Sequence, residues 1–209
     1  CTEVAERAAA LMLQSQQRYA LYYETAYPFA VSLYALMHAG KSVWIPGNNC
    51  PATAEKLTGQ GCRLLGEWPA AWSSLMPPES KPHSIARTPL DPSKVRLTLF
   101  TSGSGGHPKA IAKTLQQLQH EVEILEQQWG RVLGRAAAAA TVNHQHIYGL
   151  LFRLLWPLAA GRCFHSQMFL SPEPMLKAVG DTPSYWVASP AQLKRLDAMT
   201  AWPDIARLV

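Results

Sequence analysis

Cysteine is scarce in this 209-residue chain, and Cys1, Cys50, Cys62 and Cys163 form no Cys-x-x-Cys pair. Their spacing excludes the common zinc sites, and four thiols in so long a chain exclude a disulfide-built scaffold. Reduced, mostly buried thiols in a cytoplasmic protein are expected. Charge is sparse as well: Asp, Glu, Lys and Arg make up 16%, and the net charge of +5 is scattered without an arginine–lysine run. No nucleic-acid footprint is predicted. Long apolar runs are also missing. The most apolar window, 147–161, is too short to span a bilayer and contains Arg153 and Pro157. Glu3, Glu6, Arg7 and Arg18 interrupt the first thirty residues, so no secretory signal is read. His144, His146 and His165 have no neighbouring cysteine or carboxylate in sequence to complete a metal site, and none is predicted. No internal repeat is present.

The remaining pattern is that of an α/β fold. A helix is predicted over 5–21 and a second over 27–38, closed by Ala39-Gly40. Lys41–Pro46 reads as a strand, Pro51–Gly59 as a helix and Cys62–Leu65 as a strand. Helix, Ala-Gly-Lys and strand in succession point to sheets flanked by helices. Pro77, Pro78, Pro82, Pro89 and Pro92 mark a linker over 77–93. It divides a first α/β part, 1–76, from a second part, 94–209. In the second part Val95–Phe100 alternates as a strand, and Ala110–Lys113 returns as another. Thr114 and Gln117 are spaced as a capping box for a helix. Leu115, Leu118, Val122 and Leu125 form its buried stripe, Glu121, Glu123 and Glu126 its solvated face, and Gly130 its end. Ala136–Val142, Arg162–His165 and Trp186–Pro190 read as strands, the last leading into a helix over 191–199. A start at Cys1 and a strand-like Asp204–Val209 at the other end suggest an excerpt of a longer polypeptide.

Between the strands Val95–Phe100 and Ala110–Lys113 lies Thr101-Ser102-Gly103-Ser104-Gly105-Gly106-His107-Pro108-Lys109. Small hydroxyl and glycine residues let backbone N–H groups and hydroxyls surround a polyphosphate, and a lysine adds positive charge. Pro108 stands where a Walker A loop needs glycine before its lysine. It also occupies the place of the third glycine of a dinucleotide fingerprint. Neither motif is present.

The segment resembles the phosphate-binding loop of the acyl-adenylate-forming superfamily, Thr-Ser-Gly-Ser-Thr-Gly-x-Pro-Lys-Gly. It matches at Thr101, Ser102, Gly103, Ser104, Gly106, Pro108 and Lys109, and departs at Gly105 and Ala110. Further on, His146-Ile147-Tyr148-Gly149, followed by Leu158 and Gly161, resembles the Phe-His-x-Tyr-Gly segment that lines the acid pocket in such enzymes; Gln145 replaces the phenylalanine. Trp186–Pro190 is similar to a superfamily strand ending in a Val-Pro-Pro-like turn.

The resemblance implies the N-terminal part of an adenylation domain over 1–209, with layered sheets flanked by helices. It implies an AMP-forming acid–thiol ligase that uses ATP and Mg²⁺, activates a carboxylic acid as acyl-AMP, and passes it to CoA or a carrier protein. In that scheme Thr101, Ser102, Gly103, Ser104, Gly105, Gly106 and Lys109 hold the phosphates. His146 is the catalytic and acid-orienting residue, and Tyr148 is the pocket wall. The magnesium glutamate and a C-terminal lysine would lie beyond Val209, so the excerpt alone is expected to be inactive. The alternative is a non-catalytic nucleotide- or partner-binding module retaining the fold.

Overall fold

The computed structural model describes residues 2–72, 89–101 and 109–194, together with the backbone of 206–208. The chain forms two compact units, Cys1–Leu118 and Gln119–Val209.

The first unit is built on a five-stranded sheet in the order β3-β1-β2-β4-β5. Its strands are β1 (Arg18–Tyr22), β2 (Ser42–Ile45), β3 (Arg63–Gly66), β4 (Arg96–Thr101) and β5 (Lys109–Thr114). All pairings are parallel except β4 with β5. Helix α1 (Thr2–Met12) precedes β1, α2 (Ala26–His38) connects β1 to β2, and α3 (Pro51–Gly59) connects β2 to β3. The helix predicted over 5–21 therefore ends early, and its last residues are the strand β1. Tyr19, Ala20 and Leu21 are at most 2% exposed, because β1 lies inside the sheet with both faces covered. Such a strand shows a continuous apolar run rather than alternation. The α2 and α3 expectations hold to within a residue. Arg7 on α1 donates to Ser32 Oγ on α2 at 2.8 Å, joining the two helices.

The capping box is present: Thr114 N donates to Gln117 Oε1 at 2.9 Å, and Gln117 N to Thr114 Oγ1 at 3.2 Å. It opens α4 (Leu115–Leu133), whose residues Leu115, Leu118, Val122 and Leu125 are buried as predicted. One expectation for α4 fails. The helix does not stop at Gly130; it ends at Gly134, where φ is +56°. Glu126 is half-exposed as expected of that face, but it is not free, for Arg162 and Trp156 both bond its carboxylate. Gly130 leaves room for that carboxylate, since a Cβ there would overlap it.

The second unit carries a parallel sheet, β6-β7-β8, of Ala137–Ala140, Ser184–Val187 and Ala206–Leu208. Arg162–His165 does not form the predicted strand; it touches β6 only through a bridge between Phe164 and Ala138. Helical residues over 147–159 comprise α5 (Ile147–Gly149), a π-helical stretch (Leu150–Leu155) and α6 (Trp156–Ala159). Helices α7 (Pro172–Val179) and α8 (Pro190–Leu193) flank β7 in sequence. Ala139, Trp186 and Ala188 form a core with Phe169 and Met175. The helix expected over 191–199 is seen to Leu193; residues 195–200 lie outside the described residues, as do 73–76 and the stretch 77–88 of the proline-rich linker. Of the thiols, only Cys62 is buried among the described residues. Cys50 precedes α3 and Cys163 lies on an irregular connection, and both are exposed.

Candidate functional site

The hairpin of β4 and β5 carries the two described ends of the Ser/Gly segment. Leu97 and Leu99 bury one face of β4, and Phe100 packs on Trp44 with ring centroids 5.7 Å apart. The pairing continues to Thr101 opposite Lys109, and Thr101 Oγ1 donates to Lys109 O at 3.5 Å. Lys109 is exposed. Ala110, where the resemblance has glycine, pairs with Phe100 in regular antiparallel register. A position of that kind accepts a Cβ. Ser102, Gly103, Ser104, Gly105 and Gly106 lie outside the described residues.

The second constellation follows β6. Thr141 N donates to Val187 O at 3.0 Å, and Thr141 Oγ1 accepts from Trp186 Nε1 at 2.9 Å. Gln192, the capping-box residue of α8, donates from Nε2 to Thr141 O at 2.7 Å. These bonds fix where the chain leaves the sheet. A turn follows: Asn143 Oδ1 accepts from Gln145 N at 2.8 Å, and Asn143 O accepts from His146 N at 3.3 Å. Asp and Asn favour such local turns.

His144 and Gln145 are buried, whereas His146 faces solvent at the N-cap of α5. Tyr148 is 39% exposed. Its hydroxyl donates to Ala188 O at 3.2 Å, and its ring lies 4.7 Å from that of Phe152. Partial burial pushes its phenol pKa upward. Tyr148 is thus a held aromatic surface whose polar end is already bonded. Gly149 has a steric reason to be glycine, because a Cβ would overlap the Asn143 carbonyl. Thr101 and Lys109 therefore form one cross-strand pair, and His146 and Tyr148 share one helical turn.

Sequence reasoning missed Arg153. It is fully buried in the π-helical stretch and contacts His144 Nδ1 at 3.2 Å. The signal was an arginine inside the most apolar window. His165 nearby has its pKa lowered by burial and by the charge of Arg153. Among the described residues no group of three His, Cys, Asp or Glu side chains is placed to hold a metal ion. No described helix is long and apolar enough to cross a membrane.

A family model described as AMP-binding enzyme matches residues 34–206. Among solved structures, o-succinylbenzoate coenzyme A synthetase from Bacillus subtilis in complex with AMP aligns with TM-score 0.74 and 15% identity, covering 100% of this chain and 58% of that one. A malonyl-CoA ligase with methylmalonyl-CoA and AMP bound aligns with TM-score 0.68 and 21% identity, covering 88% and 42%. A nonribosomal peptide synthetase bound to AMPPNP aligns with TM-score 0.68 and 17% identity, covering 96% and 24%. At these identities the likeness is one of fold, and the chain spans 58% or less of each of these three relatives. No curated protein sequence matches it.

Proposed function

The chain belongs to the AMP-binding enzyme family, and from that premise we propose that it is part of an ATP-dependent carboxylic acid ligase. The acid's carboxylate oxygen attacks the α-phosphorus of ATP. The bond to the bridging oxygen breaks, pyrophosphate leaves, and a mixed acyl–phosphate anhydride forms. A thiol of CoA or of a carrier protein's phosphopantetheine then attacks the acyl carbon and AMP leaves. The family match over 34–206 carries this reading.

In this proposal Thr101, Ser102, Ser104 and the amides of Gly103, Gly105 and Gly106 bind the outer phosphates, with Lys109 steadying them. Pyrophosphate release leaves negative charge on the departing phosphates, so donors fixed around them would accelerate the step. His146 orients the acid's carboxylate and offsets its repulsion from the α-phosphate, while Tyr148 forms an apolar wall. The residues 1–209 are assigned as the N-terminal portion of an adenylation domain. Mg²⁺, when bound, shares the phosphate charge. The described residues offer no carboxylate cluster for it, so its protein ligand is assigned outside them and no step is routed through the metal.

Acid-dependent exchange of labelled pyrophosphate into ATP tests the proposal. The full-length protein should exchange with at least one member of a panel of aryl and acyl acids, and residues 1–209 alone should not. Absence of exchange with every acid, together with retained ATP binding, would favour the reading as a non-catalytic nucleotide- or partner-binding module, for which the departures at Gly105 and Ala110 leave room.

A further inference from the structure

Arg153 is 0% exposed, yet brings a guanidinium into an apolar helical run. Nη1 donates to Val142 O at 3.2 Å and meets His144 Nδ1 at 3.2 Å, while Nη2 donates to Ser166 O at 2.7 Å. Nε has no acceptor. No carboxylate pairs with this arginine among the described residues. Burial alone pushes its pKa down to about 10.

A desolvated cation without a counter-charge is costly, and an alkyl side chain would fill the same core without that cost. The residue is therefore explained by its reach rather than by its charge. A planar fork of donors spans three separate acceptors, which a single ammonium does not. Two of the three lie on 142–144, the segment that leads into His146. The third lies on Ser166, beyond the bridge to β6. Donation to Nδ1 also holds His144 as the neutral tautomer with its proton on Nε2. From His144 the hold passes along the turn: His146 N is bonded to Asn143 O, and Gly149 lies against the same carbonyl. The π-helical stretch that turns Arg153 inward has geometry that recurs at functional sites.

We propose that Arg153 is a positioning residue, which clamps 142–144 and so sets where His146 and Tyr148 stand to receive the acid. It does not touch the acid itself. The proposal rests on the ligase reading above, and its test separates the two.

Arg153→Lys is compared with the unchanged full-length protein by pyrophosphate exchange and by imidazole NMR of His146. The expected result is a folded variant with displaced His146 signals and a KM for the acid raised about tenfold, the KM for ATP staying within about twofold, as misplacement of a binding group predicts. Unmoved His146 signals, or an equal rise in both KM values, overturns the proposal. If Arg153→Lys does not fold, His144→Phe carries the same measurements, since it removes one of the two acceptors on the clamped segment and leaves Val142 O. Unfolding of both variants makes Arg153 a core residue and overturns the proposal too. If the unchanged protein exchanges with no acid, the ligase reading fails by itself, and the His146 signals alone decide whether the clamp exists.

Discussion

Arg162 grips Glu126 with both ends of its guanidinium, Nη1 on Oε2 at 2.6 Å and Nη2 on Oε1 at 2.8 Å. Trp156 Nε1 adds a third bond to Oε2 at 2.7 Å, and the guanidinium lies 5.5 Å from the Trp156 ring centroid. The arginine is buried while the glutamate is half-exposed, so the pair ranks between a surface pair and a buried one. Glu126→Gln should lower stability by about 2 kcal/mol, read from urea unfolding. A change below about 0.5 kcal/mol would place the pair with ordinary surface ion pairs.

Gly130 should behave against helix propensity. An interior Gly→Ala change ordinarily stabilises a helix by about 1 kcal/mol. Here the new methyl would displace the Glu126 carboxylate that Arg162 holds. Gly130→Ala should therefore destabilise the natural protein, yet stabilise a Glu126→Ala background. A double-mutant cycle in urea checks the reversal of sign. The same sign in both backgrounds would show that the carboxylate yields without cost.

Gly149→Ala meets backbone, not a movable side chain, at the Asn143 carbonyl. Overpacking of this kind costs about 1–3 kcal/mol. It should lower Tm and displace His146 and Tyr148, which both lie between the two contacting residues. A melting curve unchanged from that of the natural protein would mean that the helix start is free to move.

Acid should weaken the second unit in two stages. Burial and the charge of Arg153 hold the His165 pKa below 6.5, so the unfolded chain takes up its proton first. Stability is then full above the ordinary histidine range and falls as pH drops through it. His38, lowered mainly by burial, acts in the same direction within the first unit. Glu126, lowered chiefly by its bond to Arg162, contributes fully above the ordinary glutamate value of 4.5, and that contribution is lost as pH falls through its depressed pKa. Urea midpoints measured against pH should show both stages. His165→Gln should flatten the first and Glu126→Gln the second.

Lys109 begins β5 exposed, opposite Thr101. If it addresses the phosphates, Lys109→Ala in the full-length protein should raise KM for ATP or lower kcat by about tenfold or more, with Tm held. Unchanged exchange kinetics would remove this lysine from the proposed site.

The legible parts of this chain were those governed locally. Thr114 and Gln117 announced a helix start by spacing alone, and four apolar residues at three- and four-residue steps announced its buried side. The Thr101–Lys109 segment stood out not by its composition, which is common in turns, but by the placement of Pro108-Lys109 after its serines and glycines, and residues 102–108 lie outside the described residues. What the sequence hid was decided by distant neighbours. β1 looks helical until two parallel strands enclose it. Gly130 looks like a helix stop until a carboxylate is seen lying against it. Glu126 reads as surface until Arg162, far along the chain, arrives beside it. In the second constellation His146 and Tyr148 are exposed, and the burial of His144 two residues earlier was not readable. Arg153 was noticed only as an interruption of an apolar run.

The hairpin imposes a parity on what can be inserted near Lys109. Cross-strand pairing runs unbroken from Arg96 opposite Thr114 to Thr101 opposite Lys109. Adding or deleting one residue within 109–114 would roll Lys109 to the reverse side of the sheet or break the pairing. The same change within 102–108 leaves the strand's alternation intact. Related chains should thus keep the length of 109–114 unchanged.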